Sequence, residues 1–194
     1  RQMCIRDRQI QGRASLGGNL CNGSPAGDSV PALIAAGCKA VIAGPGERKE
    51  IPIENFHLGP GKTILENGQM LVSLKFPKRN KNSSDAYLRM TPRTEMDIAV
   101  VGCGVNISMD NGICTDARVS LGAVAPTPLL IKEATEIMIG SNLDENTLDE
   151  VSKICMDACN PIDDKRGTID YRTKVAGVLF KRATLTAVDR IKGN

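Results

Sequence analysis

The residues whose types and spacing could do chemistry are gathered in one run, Ser15-Leu16-Gly17-Gly18-Asn19-Leu20-Cys21-Asn22-Gly23-Ser24-Pro25-Ala26-Gly27-Asp28. Four glycines, two asparagines and a proline cannot build a packed core there, but they can bring a backbone close to a ligand. Gly17 and Gly18 lack a Cβ, so the chain can take positive φ there and let a ligand touch the main chain. Asn19, Asn22, Ser24 and Asp28 add short polar side chains that bond locally or reach outward. Consecutive free N–H groups in such a turn make a concave anion site of the kind that holds phosphates.

Other candidates are weaker. Gly59-Pro60-Gly61-Lys62-Thr63 ends like a phosphate-binding P-loop, but Phe56 stands where the first glycine is needed. Gly102-Cys103-Gly104 lacks the third glycine of a dinucleotide fingerprint, and Gly104 reads as a bulge or a close packing contact. His57 is the only histidine and has no obvious serine or cysteine partner, so nucleophilic catalysis has no support. Cys-x-x-Cys is absent, which leaves zinc without a ligand set; Cys155 and Cys159 share one helix face as small core residues. Arg93, Glu95 and Asp97 read as a salt-linked turn, and the acids from Asp144 to Glu150 as first-turn helix residues. A binding segment without a catalytic side chain or a metal site suits a protein whose chemistry is carried by a cofactor.

Asp28 or Ser29 can cap a helix through Ala32–Ala36 that stops at Gly37. Its positive end faces the glycine segment. Cys38–Ala43, Ile51–Ile53 and Gln69–Pro77 read as strands, with loop-like chain at Phe56–Lys62, and the polar stretch from Pro77 to Ser84 marks a boundary. Ala86–Met90, Ile98–Met109 and Ile113–Val124 then give a three-stranded antiparallel sheet with a hairpin turn at Asp110-Asn111-Gly112. Helices are expected at Pro128–Met138, Asp144–Ala158 and Asp170–Lys192, so the fold class is α+β. The chain has 194 residues, 41% hydrophobic and 24% charged, with net charge +3 spread along it. Aromatics at 3% and no basic stripe argue against nucleic acid as a partner. No apolar run reaches the roughly 18 residues that span a membrane, and seven scattered cysteines point to the cytoplasm.

The run Ser15 to Asn22, with Ser24-Pro25 and Asp28-Ser29, resembles the second flavin-binding segment of the molybdenum hydroxylase flavoproteins. These are the FAD-binding medium subunits of the xanthine dehydrogenase and carbon monoxide dehydrogenase group. Gly59–Thr63, Arg93-x-x-Met96-Asp97-Ile98-Ala99, Leu121–Pro128, Pro161–Asp164, Arg166-Gly167 and Tyr171-Arg172 agree in order. The resemblance implies the second subdomain of a PCMH-type FAD-binding domain at residues 9–78, then the family's α+β C-terminal domain at 85–192. Residues 1–8 are expected to be a non-native or disordered start.

The resemblance further implies that Ser15, Leu16, Gly17, Gly18 and Asn19 lie on the FAD diphosphate through backbone amides. Asn22 and Asp28 match positions at the diphosphate and sugar, and Leu71 one that packs on the flavin or adenine end. Arg89 stands where the family usually has lysine, which keeps the charge and changes its geometry. The implied assembly is a heterotrimer with a [2Fe-2S] small subunit and a molybdopterin-bearing large subunit. Electrons pass through FAD to an external acceptor such as NAD. The family's Ala-Gly-Gly segment has no counterpart here, so the isolated chain is expected to be inactive and to bind FAD weakly or not at all. The alternatives are a hydroxybenzoyl-CoA reductase-type flavoprotein, whose cysteine-bearing insertion is not seen at Ile53–Phe76, and a docking scaffold without flavin.

Overall fold

The computed structural model describes residues 12–93 and 97–193. The expected irregular start at residues 1–8, and Glu95 and Met96, lie outside the described residues. The first half runs helix α1 (Leu16–Cys21), helix α2 (Ser29–Ala35), strands β1 (Lys39–Gly44) and β2 (Glu47–Pro52), and a 3-10 turn at Ile53–Asn55. The short hairpin β3 (His57–Gly59) and β4 (Lys62–Thr63) follows, then β5 (Met70–Lys75). β1 lies between β2 and β5 and is antiparallel to both. A register shift between Val41 and Ile42 lets Ala40 meet Leu74 and Ile42 meet Leu71, so two leucines three apart both turn to the core. Leu20 of α1, Val30, Leu33 and Ile34 of α2, and Phe56 complete that core.

The second half is an antiparallel sheet of β6 (Ser83–Met90), β7 (Val101–Asp110), β8 (Ile113–Gly122) and β9 (Leu129–Leu130). Helices α3 (Lys132–Met138), α4 (Glu145–Asp157) and α5 (Ile169–Lys192) follow, which gives the expected α+β architecture. Asn111 and Gly112 both have positive φ, as a two-residue hairpin loop requires. Asp144 caps α4 through the Thr147 amide and Thr168 caps α5 through the Tyr171 amide. The sheet has one strand more than expected. Pro128 cannot donate a main-chain bond, and Leu129 and Leu130 extend alongside Leu121 and Ser120, so α3 begins at Lys132.

This sheet is covered on both faces, which is why β7 reads as a continuous apolar run. Cys103, Val105, Ile107, Val119 and Leu121 share a core with Val151 and Cys155 of α4 and Ala176 and Phe180 of α5. The opposite face carries Gly104 and Gly122, and helix α2 of the first half lies directly on it. A Cβ at Gly104 would stand 2.6 Å from the Pro31 carbonyl oxygen, and one at Gly122 2.6 Å from Pro31 Cγ. The ladder has no shift at Gly104, so of the two readings the close contact applies and not the bulge. Arg118 adds a tie between the halves, donating to the Ile34 carbonyl at 3.0 Å and pairing with Glu54 at 3.1 Å.

Candidate functional site

The glycine segment folds as a helix. Ser15 is extended (φ −132, ψ 155), and its Oγ accepts from the Gly18 amide at 3.0 Å, which starts α1. Asn22 caps the other end, and Gly23 follows in the left-handed region with φ +66. Gly17 and Gly18 are therefore helical and do not use the positive φ open to them, which in this segment is taken by Gly23. The signals for this helix, a serine before Leu16 and a glycine after Asn22, were present but were outweighed by the glycine content.

Leu71 of β5 lies against Gly17, with Cδ2 3.4 Å from where a Cβ would stand, and Leu16 packs on the same core. Asn19 turns inward. Its Oδ1 accepts from the Ser29 amide at 3.0 Å and the Ser29 hydroxyl at 2.6 Å, joining α1 to the start of α2. Asp28, next to Ser29, pairs with Arg89 of β6 at 2.9 Å, and both side chains are largely buried. Ser15, Leu16, Gly17, Gly18, Asn19 and Leu71 thus form one cluster, linked through Ser29 to Asp28 and Arg89. Asn22 is exposed at the far end of α1, about 9 Å along the axis by helix rise.

Two glycines in one short helix each cost about 1 kcal/mol relative to alanine. Gly18 has an internal reason, because a Cβ there would crowd Ser15 Oγ at 2.9 Å. Gly17 has none of that strength, since its Cβ would meet Leu71 at an ordinary contact distance. The amides of a helix's first turn have no intrahelical acceptor and carry positive potential. A bare main chain of that kind fits a diphosphate. The residues present are therefore compatible with the FAD diphosphate on Ser15 to Gly17, the Gly18 amide being taken by Ser15 Oγ, with Leu71 supplying an apolar neighbour.

Beside this segment, between the two halves, lies a cavity of about 290 Å³. Pro25, Pro60, Ala99, Pro126 and Pro161 give it apolar walls, Ile98 and Ile162 stand exposed at its mouth, and Arg166 is its rim charge. A chain of alternating charges runs along one side: Asp97 with Arg93 and Arg166, Arg166 with Asp164, and Asp164 with Arg172 at 2.8 Å. Burial pushes the Asp97 carboxyl up, but the Ile98 and Arg93 amides and the Arg93 guanidinium hold it below the usual range. The Arg166 amide and then Arg172 hold Asp164 below that range against burial. The sequence marks the strands and helices between Ile98 and Arg172 but assigns none of their residues to a site, and Arg93 and Asp97 only to a salt-linked turn. No pattern in the sequence places these distant segments around one cavity.

His57 is buried, with Nε2 donating to the Leu20 carbonyl at 2.8 Å, a structural role that agrees with its lack of a nucleophile partner. Burial lifts the Cys155 thiol to about 12 and the Cys159 thiol to about 11, which keeps both protonated. Among the described residues no helix is long and apolar enough to cross a membrane.

Residues 86–187 match the CO dehydrogenase flavoprotein C-terminal domain, and residues 4–79 match the FAD binding domain in molybdopterin dehydrogenase. The chain is 31% identical to the xanthine dehydrogenase FAD-binding subunit of Escherichia coli O157:H7, an alignment covering 95% of this chain and 63% of that protein. It is 32% identical to the carbon monoxide dehydrogenase medium chain of Afipia carboxidovorans, covering 98% of this chain and 66% of that one. The chain thus spans just under two thirds of the length of these relatives. Among solved structures, reconstituted CO dehydrogenase from Oligotropha carboxidovorans superposes with a TM-score of 0.93 at 30% identity, over 97% of this chain and 65% of that chain. The carbon monoxide dehydrogenase of Hydrogenophaga pseudoflava that lacks the Mo-pyranopterin moiety gives a TM-score of 0.91 at 30% identity, with the same coverage. With one domain family matching more than half of the chain and these relatives aligned along nearly all of it, the chain belongs to the FAD-binding medium-subunit family of xanthine and carbon monoxide dehydrogenases.

Proposed function

We propose that this chain is the FAD-holding part of a molybdenum hydroxylase. It would receive electrons from a [2Fe-2S] small subunit, itself fed by a molybdopterin-bearing large subunit, and deliver them to an external acceptor such as NAD. The observation that carries this reading is Gly17: a helical glycine that the fold does not require, in the first turn of a helix, where amides lack an intrahelical acceptor. Bound FAD supplies the electron chemistry. The chain's own residues would bind and orient it. Ser15, Leu16 and Gly17 would donate main-chain N–H groups to the diphosphate, the Gly18 amide being held by Ser15 Oγ, and Leu71 would pack beside it. Asn19 would keep α1 fixed to α2, and the Asp28–Arg89 pair would set the neighbouring charge. Asn22 would reach only a different part of the cofactor, because it stands at the other end of α1.

The acceptor's place in this reading is the cavity behind Pro25. Its apolar walls suit a flat ring, and the Arg166 guanidinium at its mouth would meet a negatively charged substituent by giving up one of its long pairs with Asp97 and Asp164. The same reading places the protein in the cytoplasm, where thiols stay reduced. The test is an anaerobic titration of the purified chain with FAD, followed by addition of NADH. Weak but saturable binding of FAD is expected, with loss of the bound flavin's visible absorbance on adding NADH at a rate far below that of a complete enzyme. Bleaching by dithionite but not by NADH would remove NAD as the acceptor and leave the flavin reading in place.

A further inference from the structure

We propose that Arg172 is a positioning residue that builds the acceptor cavity by holding Ala123 in the left-handed conformation; this rests on the reading of the cavity given above. Ala123 is a non-glycine residue with φ +64, in a region that L-residues enter only when their surroundings over-determine it. Its amide donates to the Pro25 carbonyl at 2.8 Å, and its carbonyl accepts from Arg172 Nη1 at 3.3 Å. The next carbonyl, of Val124, accepts from the Asn160 amide at 2.8 Å. Ala123 is thus pulled from both sides, and it lines the cavity.

Arg172 does more than tie Ala123. Nη1 also donates to the Val100 carbonyl at 2.7 Å, Nη2 to Asp164 at 2.8 Å, and Nε to the Gly167 carbonyl at 3.4 Å. Val100 is in turn anchored, its amide donating to the Met90 carbonyl at 2.8 Å. These acceptors lie in the segments that carry the cavity wall residues Ala99, Ala123 and Asp164. A guanidinium has five donors in a rigid planar fork, so one side chain can span three directions at once; an ammonium is a single point. Arg172 is 3% exposed and sits in the first turns of α5, which the core beneath it holds in place. Its bonds therefore converge on the walls of one cavity from a rigid base.

The test compares the full chain with Arg172→Gln, Ala123→Gly and the double variant. Two readouts are used: residue-resolved amide hydrogen exchange, and the dissociation constant for NAD+ as probe. Glycine adopts positive φ without steric cost, so Ala123→Gly relieves the wall of its need for Arg172. Arg172→Gln is expected to speed exchange at the Ala123 and Val100 amides by roughly tenfold or more while Val105 and Phe180 keep their protection. It is also expected to weaken NAD+ binding by roughly tenfold, the scale of one lost charge-assisted bond. The double variant should recover protection at Ala123 and most of the NAD+ affinity.

Uniform acceleration through β7 and α5, or no recovery in the double variant, overturns the proposal and leaves Arg172 as a general stabiliser. If Arg172→Gln does not fold, Arg172→Lys serves, since it keeps the charge but cannot reach Ala123, Val100 and Asp164 together. The same local pattern is expected of it. Wild-type protein that binds no NAD+ while showing the local exchange pattern and its rescue would remove NAD as the acceptor and support the role of Arg172.

Discussion

At position 17 an alanine methyl would meet only the Leu71 side chain at 3.4 Å and would improve the helix that carries it. Gly17→Ala is therefore expected to raise stability by about 0.5–1 kcal/mol, read as a higher unfolding midpoint, and to weaken FAD binding. A structural glycine would behave in the opposite way. Asn19 shows the reverse case, because its side-chain carbonyl is used inside the protein. Asn19→Ala strands the buried Ser29 donors and should lower stability by about 1–3 kcal/mol, measured by chemical denaturation. Asp164 gives a pH signature. Its carboxyl is held below its ordinary value in the folded state, so its contribution is present above about pH 4 and is lost as pH falls through the folded value. Wild type should exceed Asp164→Asn in stability at neutral pH, and the two should converge in acid; a difference that persists unchanged at low pH would contradict this. The sequence made the Ser15–Asp28 segment visible because glycines, asparagines and a proline crowded into fourteen residues leave few apolar side chains to form a core. It hid Arg172 and Ala123, because neither a left-handed alanine nor the four carbonyl and carboxylate partners of one arginine leaves a local pattern.

Helix α2 joins the two halves by lying on the sheet, and this depends on β7 and β8 being bare beneath Pro31. Gly104→Ala would set a methyl 2.6 Å from a main-chain oxygen, which cannot rotate away. It should destabilise the protein by about 1–3 kcal/mol, read as a lower denaturation midpoint with the slope preserved. Element boundaries were legible where a cap or a turn dictates them. Asp144 before α4, Gly140 after α3 and Asn111-Gly112 between β7 and β8 all act through their own backbone and side chains. Helix α1 was not legible, since six residues with two glycines form a helix only when Ser15 caps it and Leu20 is buried at 0% exposure. Strand β9 was missed for a similar reason. Leu129 and Leu130 pair because β8 offers an open edge, which is a fact about the sheet and not about those two leucines.

At the scale of the whole molecule, the two halves meet through α2, the Arg118 contacts with Ile34 and Glu54, and the Asp28–Arg89 pair. These contacts tie the glycine helix to the walls of the cavity, so the main chain proposed to bind the diphosphate lies beside an apolar recess. The central claim is that the start of α1 holds the FAD diphosphate. The most direct measurement is a flavin-fluorescence titration of the full chain and of Gly17→Ala with FAD, run with thermal unfolding of both proteins. The account predicts weak but saturable binding by wild type, at least roughly tenfold weaker binding by the variant, consistent with loss of about 1.4 kcal/mol of contact, and an unfolding temperature for the variant that is equal or higher. Equal FAD affinity in the two proteins, or no saturable binding by wild type, would contradict it.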